Sequence, residues 1–377
     1  MTALIERAVH LPTIVVPGKV AIIYGPRRVG KTTLLKSYLA ACGLRYRLET
    51  GDDIRLSHLL GSGDLQRITA FAEGYDLVAI DEAQQIPGIG LGLKMLVDHR
   101  PELRIIATGS SSFDLAGAVG EPLTGRKRTV TLFPVSQLEL RQELNAYDLG
   151  QRLEEFLIYG AYPEIVTTPG RKEKIELLEE LVGSYLLKDV LALERIRSSR
   201  PLLELLKLVA FQIGGEVSLN ELATQVRLDV KTVGRYLDIL EKAFVIVRVG
   251  GFSRNLRNEI TSKAKYYFLD NGLRNAVIGQ YNLLDSRNDI GALWENFVIA
   301  ERLKKRAYTG MYGSYYFWRT YDGKEIDYLE ERDGRLFGYE CKWSPRKEVR
   351  PPAKWQASYP EAVFEVVTPE TYLDFVG

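Results

Sequence analysis

Cysteine is almost missing from this chain. Cys42 and Cys341 are the only two in 377 residues, which excludes a disulfide framework and a cysteine-rich metal site. Excess charge is also missing: a net charge of +1 rules out a polycation, although a local basic face remains open. No apolar run reaches the length of a bilayer span. The first residues include Glu6 and lack the basic-then-apolar order of a secretion signal, so the expected compartment is the cytoplasm, with no membrane partner. What is present is ordinary soluble-protein material, 46% hydrophobic and 26% charged. The length exceeds what one core holds and predicts two or three domains.

The strongest pattern is Gly25-Pro26-Arg27-Arg28-Val29-Gly30-Lys31-Thr32-Thr33, a G-x-x-x-x-G-K-T loop of the kind that cradles a nucleoside triphosphate. Its context agrees. Val20 to Tyr24 is a short apolar run that reads as a buried parallel strand. From Thr33 onward Leu34, Leu35, Tyr38 and Leu39 share one helix face. On such a strand-to-helix turn, successive backbone N–H groups and a helix N-terminus hold phosphate oxygens. Lys31 is expected to reach the β- and γ-phosphates, and Thr32 to place its hydroxyl on Mg²⁺.

A second strand, Leu77 to Ile80, ends in Asp81 and Glu82. Behind a phosphate loop, Asp81 is expected in the Mg²⁺ shell and Glu82 as the base that polarises the attacking water. A third, Leu103 to Ser110, ends in small polar residues, among them Ser110 as a candidate sensor of the γ-phosphate. This set of three strands resembles the AAA+ ATPase core. The wording of the loop resembles one prokaryotic branch, the archaeal-type ATPases with a DUF4143 C-terminal region, over nearly the whole chain. The resemblance implies ATP with Mg²⁺ as cofactors, and a homo-oligomer. Arg126, in Leu123-Thr-Gly-Arg126-Lys127-Arg128, is the candidate arginine finger, with Arg128 as the alternative and a solvated basic loop as the plain reading.

Gly160-Ala161-Tyr162-Pro163 resembles that family's connection out of the core, and the pattern from Lys174 to Leu193 reads as a lid or linker helix. The middle of the chain predicts a winged helix-turn-helix. Pro201 to Gly215 opens with an apolar helix, Ser218 with Glu221 starts a second, and Asp229 caps a third that buries Val233, Tyr236, Leu237 and Leu240. Two strands around a basic loop follow. Lys231 and Arg235 on the third helix, with Arg254, Arg257, Lys263 and Lys265 in the wing, are the candidate nucleic-acid contacts, suited to the backbone more than to base readout. A winged helix that docks a protein is the competing reading.

From Asp289 the texture changes. Glu295 lies on an amphipathic helix. Asp333-Gly334 then joins two alternating runs as a two-residue hairpin, pairing Arg332 with Arg335, Tyr328 with Tyr339, Asp327 with Glu340 and Glu325 with Lys342. Strict alternation puts Ile326, Tyr328, Phe337, Tyr339 and Cys341 on one face and the charged residues on the other. Glu295, Asp327, Glu340 and Lys342 are similar to the E…D…E-x-K signature of PD-(D/E)xK nucleases, which implies a divalent metal held by the three carboxylates. A neutralised solvent face is the plain alternative.

The expected architecture is therefore α/β. A P-loop AAA+ core on a parallel sheet (1–166) is followed by a helical lid (167–200). A winged helix-turn-helix (201–280) and a restriction-endonuclease-like α/β domain (281–377) complete it. The expected function is a Mg²⁺-dependent ATPase that couples nucleotide state to modules acting on nucleic acid. The competing one is a signalling or scaffolding ATPase whose C-terminal domains bind protein or DNA without cutting.

Overall fold

The computed structural model describes residues 5–110, 122–186, 200–253, 264–320, 322–345 and 348–377. Two sheets organise them. The first is formed by β1 (Val20–Tyr24), β2 (Tyr46–Thr50), β3 (Leu77–Asp81), β4 (Arg104–Gly109) and β5 (Lys127–Thr131), in the order β2-β3-β4-β1-β5. All its pairs are parallel. β1 is apolar and buried at every position, as expected of a strand covered on both faces. Alternate residues serve two cores. Ala21 and Ile23 pack with Leu35 and Leu39 of α1 (Lys31–Ala41), while Val20 and Ile22 pack with Leu93 and Leu96 of α2 (Ile89–His99). The chain leaves β1 for the distant β2 and only later inserts β3 and β4 between them. The carboxyl ends of β1, β3 and β4 thereby open into a crevice, where ligands bind in open parallel sheets.

Residues Val135 to Ala161 lead out of this sheet through short helices to α3 (Pro163–Thr167) and α4 (Arg171–Glu180). Gly160 adopts φ 72, and a Cβ there would collide with the Asp270 carboxylate, which accepts from the Ala161 N–H at 2.7 Å. The Gly-x-Tyr-Pro connection is thus a docking point for a distant part of the chain. The linker helix read from Lys174 onward passes into a π-helical turn over Leu181–Leu186, and its remainder lies outside the described residues.

Next come α5 (Arg200–Phe211), α6 (Leu219–Val226) and α7 (Val230–Lys242). Ser218 caps α6 by accepting from Glu221 N, and Asp229 caps α7 by accepting from Thr232 N at 2.8 Å. Strands β6 (Glu216–Val217), β7 (Ile246–Gly251) and β8 (Ala264–Phe268) accompany the helices, and α8 (Asn271–Ile278) carries the docked Asp270 as its N-cap. These strands do not form a separate sheet. They continue into β9 (Ser314–Arg319), β10 (Glu325–Arg332), β11 (Arg335–Cys341) and β12 (Val363–Val367), in the order β12-β11-β10-β9-β7-β8-β6. The join is a parallel pairing of β7 with β9, so one sheet crosses the boundary drawn at 280/281. Helix α9 (Ile290–Thr309) lies between this sheet and the first unit. Among the described residues no helix is long and apolar enough to cross a membrane.

Candidate functional site

The loop from Gly25 to Gly30 closes over the carboxyl end of β1. Gly25 sits at φ 147, and a Cβ there would lie 2.1 Å from the Leu132 carbonyl oxygen, so only glycine lets β1 pass that close to the chain leaving β5. Arg28 and Gly30 are also left-handed, at φ 62 and 93, and their turns bring Lys31 to the start of α1. Lys31 is buried and folds back over the loop, donating to the carbonyls of Gly25 and Pro26 at 2.8 Å each.

Beside it, Thr32 Oγ1 donates to Asp81 Oδ2 at 2.7 Å. β4 lies beside β3, so a side chain at its end can reach the end of that strand. Thr108 does so: its hydroxyl donates to Asp81 Oδ1 and accepts from Glu82 N at 3.1 Å. Glu82 itself has φ 50, and the Gln84 amide donates to its carboxylate. Ser110, the expected sensor, is buried just beyond β4. Thr108 was the more telling hydroxyl, and its signal was visible as the first polar residue of the same strand end. Hard oxygen donors this close together, next to a phosphate loop, fit Mg²⁺ with its remaining positions left to water and phosphate.

Two cavities meet here. One of about 790 Å³ is lined by Arg27, Arg28, Lys31, Thr32, Glu82 and Gln85. A second, also about 790 Å³ and largely apolar, is lined by Val9, Leu11, Val29, Leu34, Tyr38 and Pro163. Gly30, Thr33, Pro163 and Glu164 belong to both walls. Arg7 carries no motif and escaped the sequence reading. It holds the loop from behind, donating to the carbonyls of Val29 and Phe133 at 2.6 Å each and pairing with Glu139 at 2.8 Å. Arg28 points the other way, to Glu164 of α3 at 3.4 Å and Glu180 of α4 at 2.8 Å.

Arg126 is not brought to this site. It precedes β5, where its carbonyl accepts from Val20 N at the amino end of β1, roughly 15 Å along that strand from the loop. Its guanidinium pairs with Asp98 of α2 at 2.5 Å. Arg128 donates to the Thr13 carbonyl at 2.7 Å. A parallel strand that begins beside the start of β1 cannot present its first residues at the end of β1, so neither arginine serves the loop of its own chain.

The C-terminal carboxylates do gather, but around lysines. The hairpin has the counted register from Arg332↔Arg335 to Tyr328↔Tyr339, with Asp333 and Gly334 both at positive φ. The strict alternation fails further along. Between Ile326↔Trp318 and Leu329↔Tyr316, β10 has two residues where β9 has one, a β-bulge at Asp327 and Tyr328. Ile326 consequently packs with Trp318, Leu329 and Trp355, away from Tyr328 and Tyr339. Asp327 is buried and accepts from Cys341 N at 2.8 Å.

Lys265, expected in a basic wing, is fully buried instead. Its Nζ lies 3.4 Å from Glu295 Oε1 and 3.3 Å from Glu325 Oε1. The reason is its strand: β8 runs between β7 and β6, and alternation sends Lys265 and Tyr267 together toward α9. Burial alone would lower the Lys265 pKa, but Glu295, Asp327 and Glu325 hold it above the usual lysine value. Burial raises Glu295, Asp327 and Glu340, and the neighbouring carboxylates push in the same direction. Glu340 pairs with Lys342 at 2.6 Å. Among the described residues no group of three or more His, Cys, Asp or Glu is placed to hold a metal ion. The expected metal set of Glu295, Asp327 and Glu340 does not fit one here, because ammonium groups stand among the carboxylates.

Of the other expected nucleic-acid contacts, Lys231 and Arg235 are exposed on α7. Arg254, Arg257 and Lys263 lie outside the described residues.

Residues 17–141 match the AAA domain family. Residues 150–283 match a domain of unknown function (DUF8612), and residues 290–367 match another (DUF4143). Uncharacterized proteins of Mycobacterium bovis and Mycobacterium tuberculosis are each 28% identical over 90% of this chain and 72% of their own. An uncharacterized protein of Methanocaldococcus jannaschii is 24% identical over 83% of this chain and 72% of its own. Among solved structures, domain III of the replication initiation protein DnaA of Thermotoga maritima aligns with a TM-score of 0.28 at 17% identity, covering 56% of this chain and 85% of that one. The N-terminal region is thus similar in sequence to AAA domains, and its α/β fold on a parallel sheet is consistent with a P-loop AAA+ core.

Proposed function

We propose that this protein is an ATP-hydrolysing switch whose nucleotide state is passed to a C-terminal module that binds nucleic acid. The observation that carries the ATPase reading is the Thr32–Asp81–Thr108 hydroxyl–carboxylate chain, packed beside a buried loop lysine. In this reading the phosphates lie in the polar cavity. Lys31 exchanges its two carbonyl partners for phosphate oxygens, and the loop N–H groups and α1 N-terminus complete the cradle. The purine and ribose fill the apolar cavity between Val9, Leu11, Leu34 and Pro163. Thr32 and Asp81 hold Mg²⁺, which offsets charge on the transferred phosphoryl group. Glu82 takes a proton from the water that attacks the γ-phosphorus, and Gln84 holds its carboxylate until then.

The test separates binding from turnover. Lys31→Ala is expected to lose nucleotide binding in a titration. Glu82→Gln is expected to bind normally and hydrolyse about 10²–10⁴-fold more slowly. Wild-type rates in Glu82→Gln would remove Glu82 from the role of base.

For the C-terminal half, three helices, two of them capped, beside the strands β6, β8 and β7 support a winged-helix reading, and the exposed Lys231 and Arg235 on α7 support backbone contact with nucleic acid. Binding to duplex DNA should weaken steeply with salt, and Lys231→Ala/Arg235→Ala should lower affinity alike for unrelated sequences. Unchanged affinity in that double variant would favour a protein partner on this face.

A further inference from the structure

The carboxylate cluster of the C-terminal sheet already contains a cation, and that cation is a side chain. Lys265 comes from an interior strand with no accessible surface, and its Nζ reaches Glu295 on α9 and Glu325 on β10 at 3.4 and 3.3 Å. The Phe317 ring lies 5.4 Å from the same ammonium. A buried ammonium is strongly destabilising unless carboxylates surround it, and neighbouring carboxylates repel unless a cation stands among them. Each group here answers the other's requirement.

We propose that Lys265 is the resident counter-ion of this cluster, standing where a divalent metal would sit among Glu295, Glu325 and Asp327, so that the module engages its partner without cutting phosphodiester bonds. The remaining donors support this. Tyr267 donates to Glu295 at 2.6 Å, Cys341 N donates to Asp327 at 2.8 Å, and Lys342 occupies Glu340 at 2.6 Å. Arg319 lies 3.6 Å from the second oxygen of Glu325. Each of these carboxylates therefore has at least one oxygen engaged by a donor from this chain, although Glu340 Oε2 is buried without a hydrogen-bond partner. A hydrolytic metal must also keep an open position on which water becomes a nucleophile. An ammonium offers three donors and no such position. The inference is independent of the nucleotide site.

The test is Mn²⁺ binding to full-length, nucleotide-free protein by electron paramagnetic resonance. An Asp81→Asn background removes the metal-holding carboxylate of the phosphate loop. The parent is expected to bind no Mn²⁺ at the cluster. Adding Lys265→Ser is expected to create one equivalent of bound Mn²⁺, which Asp327→Asn then abolishes. One equivalent in the parent, lost on Asp327→Asn, would overturn the proposal, as would Asp327-dependent DNA cleavage in Mg²⁺ or Mn²⁺. A folded Lys265→Ser protein that gains no Mn²⁺ would overturn it too, since the lysine would then not occupy a metal's place. Should Lys265→Ser fail to fold, the parent measurements decide: no Asp327-dependent Mn²⁺ binding and no cleavage uphold the proposal, and either one overturns it.

Discussion

At the scale of single residues, the site depends on who satisfies whom. Asp81 has both oxygens engaged, one by Thr32 and one by Thr108, and the Thr108 hydroxyl also takes the Glu82 N–H. Thr108→Val keeps the shape of the side chain and removes those bonds. It leaves a partly buried carboxylate oxygen and a backbone N–H without partners, a loss of about 1–3 kcal/mol. The expected outcome is a lower melting temperature and weaker Mg²⁺-nucleotide binding. Nucleotide binding in EDTA should change much less, because Lys31 and the loop remain. Equal losses with and without Mg²⁺ would mean that Thr108 supports the loop rather than Asp81. The same accounting of partners separates the expected Lys265 from the observed one. A lysine in a basic stretch of sequence reads as solvated, yet the ammonium of this one lies against Glu295, Glu325 and the Phe317 ring.

At the scale of elements, α9 and the strands beneath it hold a carboxylate in an unusual protonation range. Burial, with Asp327 adding to it, pushes Glu295 from 4.5 up to about 7, against the opposing pull of Lys265 and the Tyr267 hydroxyl. Because the folded value lies above the unfolded one, the native state holds this proton more tightly. The stability it contributes is complete below about pH 4.5 and is lost as pH rises through about 7. Glu295→Gln mimics the protonated form and cannot titrate. Melting temperatures measured from pH 4.5 to 8 should therefore show the wild type losing ground to Glu295→Gln as pH rises across that window. Parallel curves for the two proteins would mean that Glu295 is ionised throughout.

At the scale of the whole molecule, the two sheets share one buried polar seam. Arg7 ties the phosphate loop to Glu139, and Tyr308 near the end of α9 accepts from Phe133 N at 3.0 Å. Glu301 accepts from Gln137 N at 2.6 Å and pairs with Lys304, while Tyr372 of α10 (Tyr372–Val376) donates to Gln137. Helix α9 thus touches the first unit through Glu301, Lys304 and Tyr308 and the carboxylate cluster through Glu295, with about 20 Å of helix from Glu295 to Tyr308. Arg7→Ala removes the ion-pair partner of buried Glu139, which keeps its Ser136 and Ala8 donors, at a cost of about 1–3 kcal/mol, and frees the Val29 carbonyl in the loop. The variant should melt earlier and also bind ATP more weakly, although Arg7 lies behind the phosphate loop. A melting shift with unchanged nucleotide affinity would confine Arg7 to structure.

Much of this was legible in the residues. The glycine-rich loop is a local device: glycines at set positions, a strand before and a helix after define its backbone, so its strand-turn-helix shape could be read from spacing. The strands β1, β3 and β4 followed from continuous apolar runs, and the hairpin register from one Asp-Gly turn, because each depends on neighbours a few residues away. Three things depended on which strands lie side by side. Arg126 reads as a finger for its own loop until β5 is seen to start beside the amino end of β1. Asp327 and Ile326 exchange faces because β9 is one residue shorter than β10 over the bulge, a fact about the pair and not about either strand. Lys265 reads as a wing cation until β8 is found enclosed between β7 and β6, with α9 above it. The sequence by itself determined the glycine-rich turn after β1 and the carboxylates at the end of β3, whose placement is set by local backbone geometry. Only the tertiary structure decided which charge meets which at long range, because burial and strand order alone determine whether a lysine faces water, a phosphate or a carboxylate.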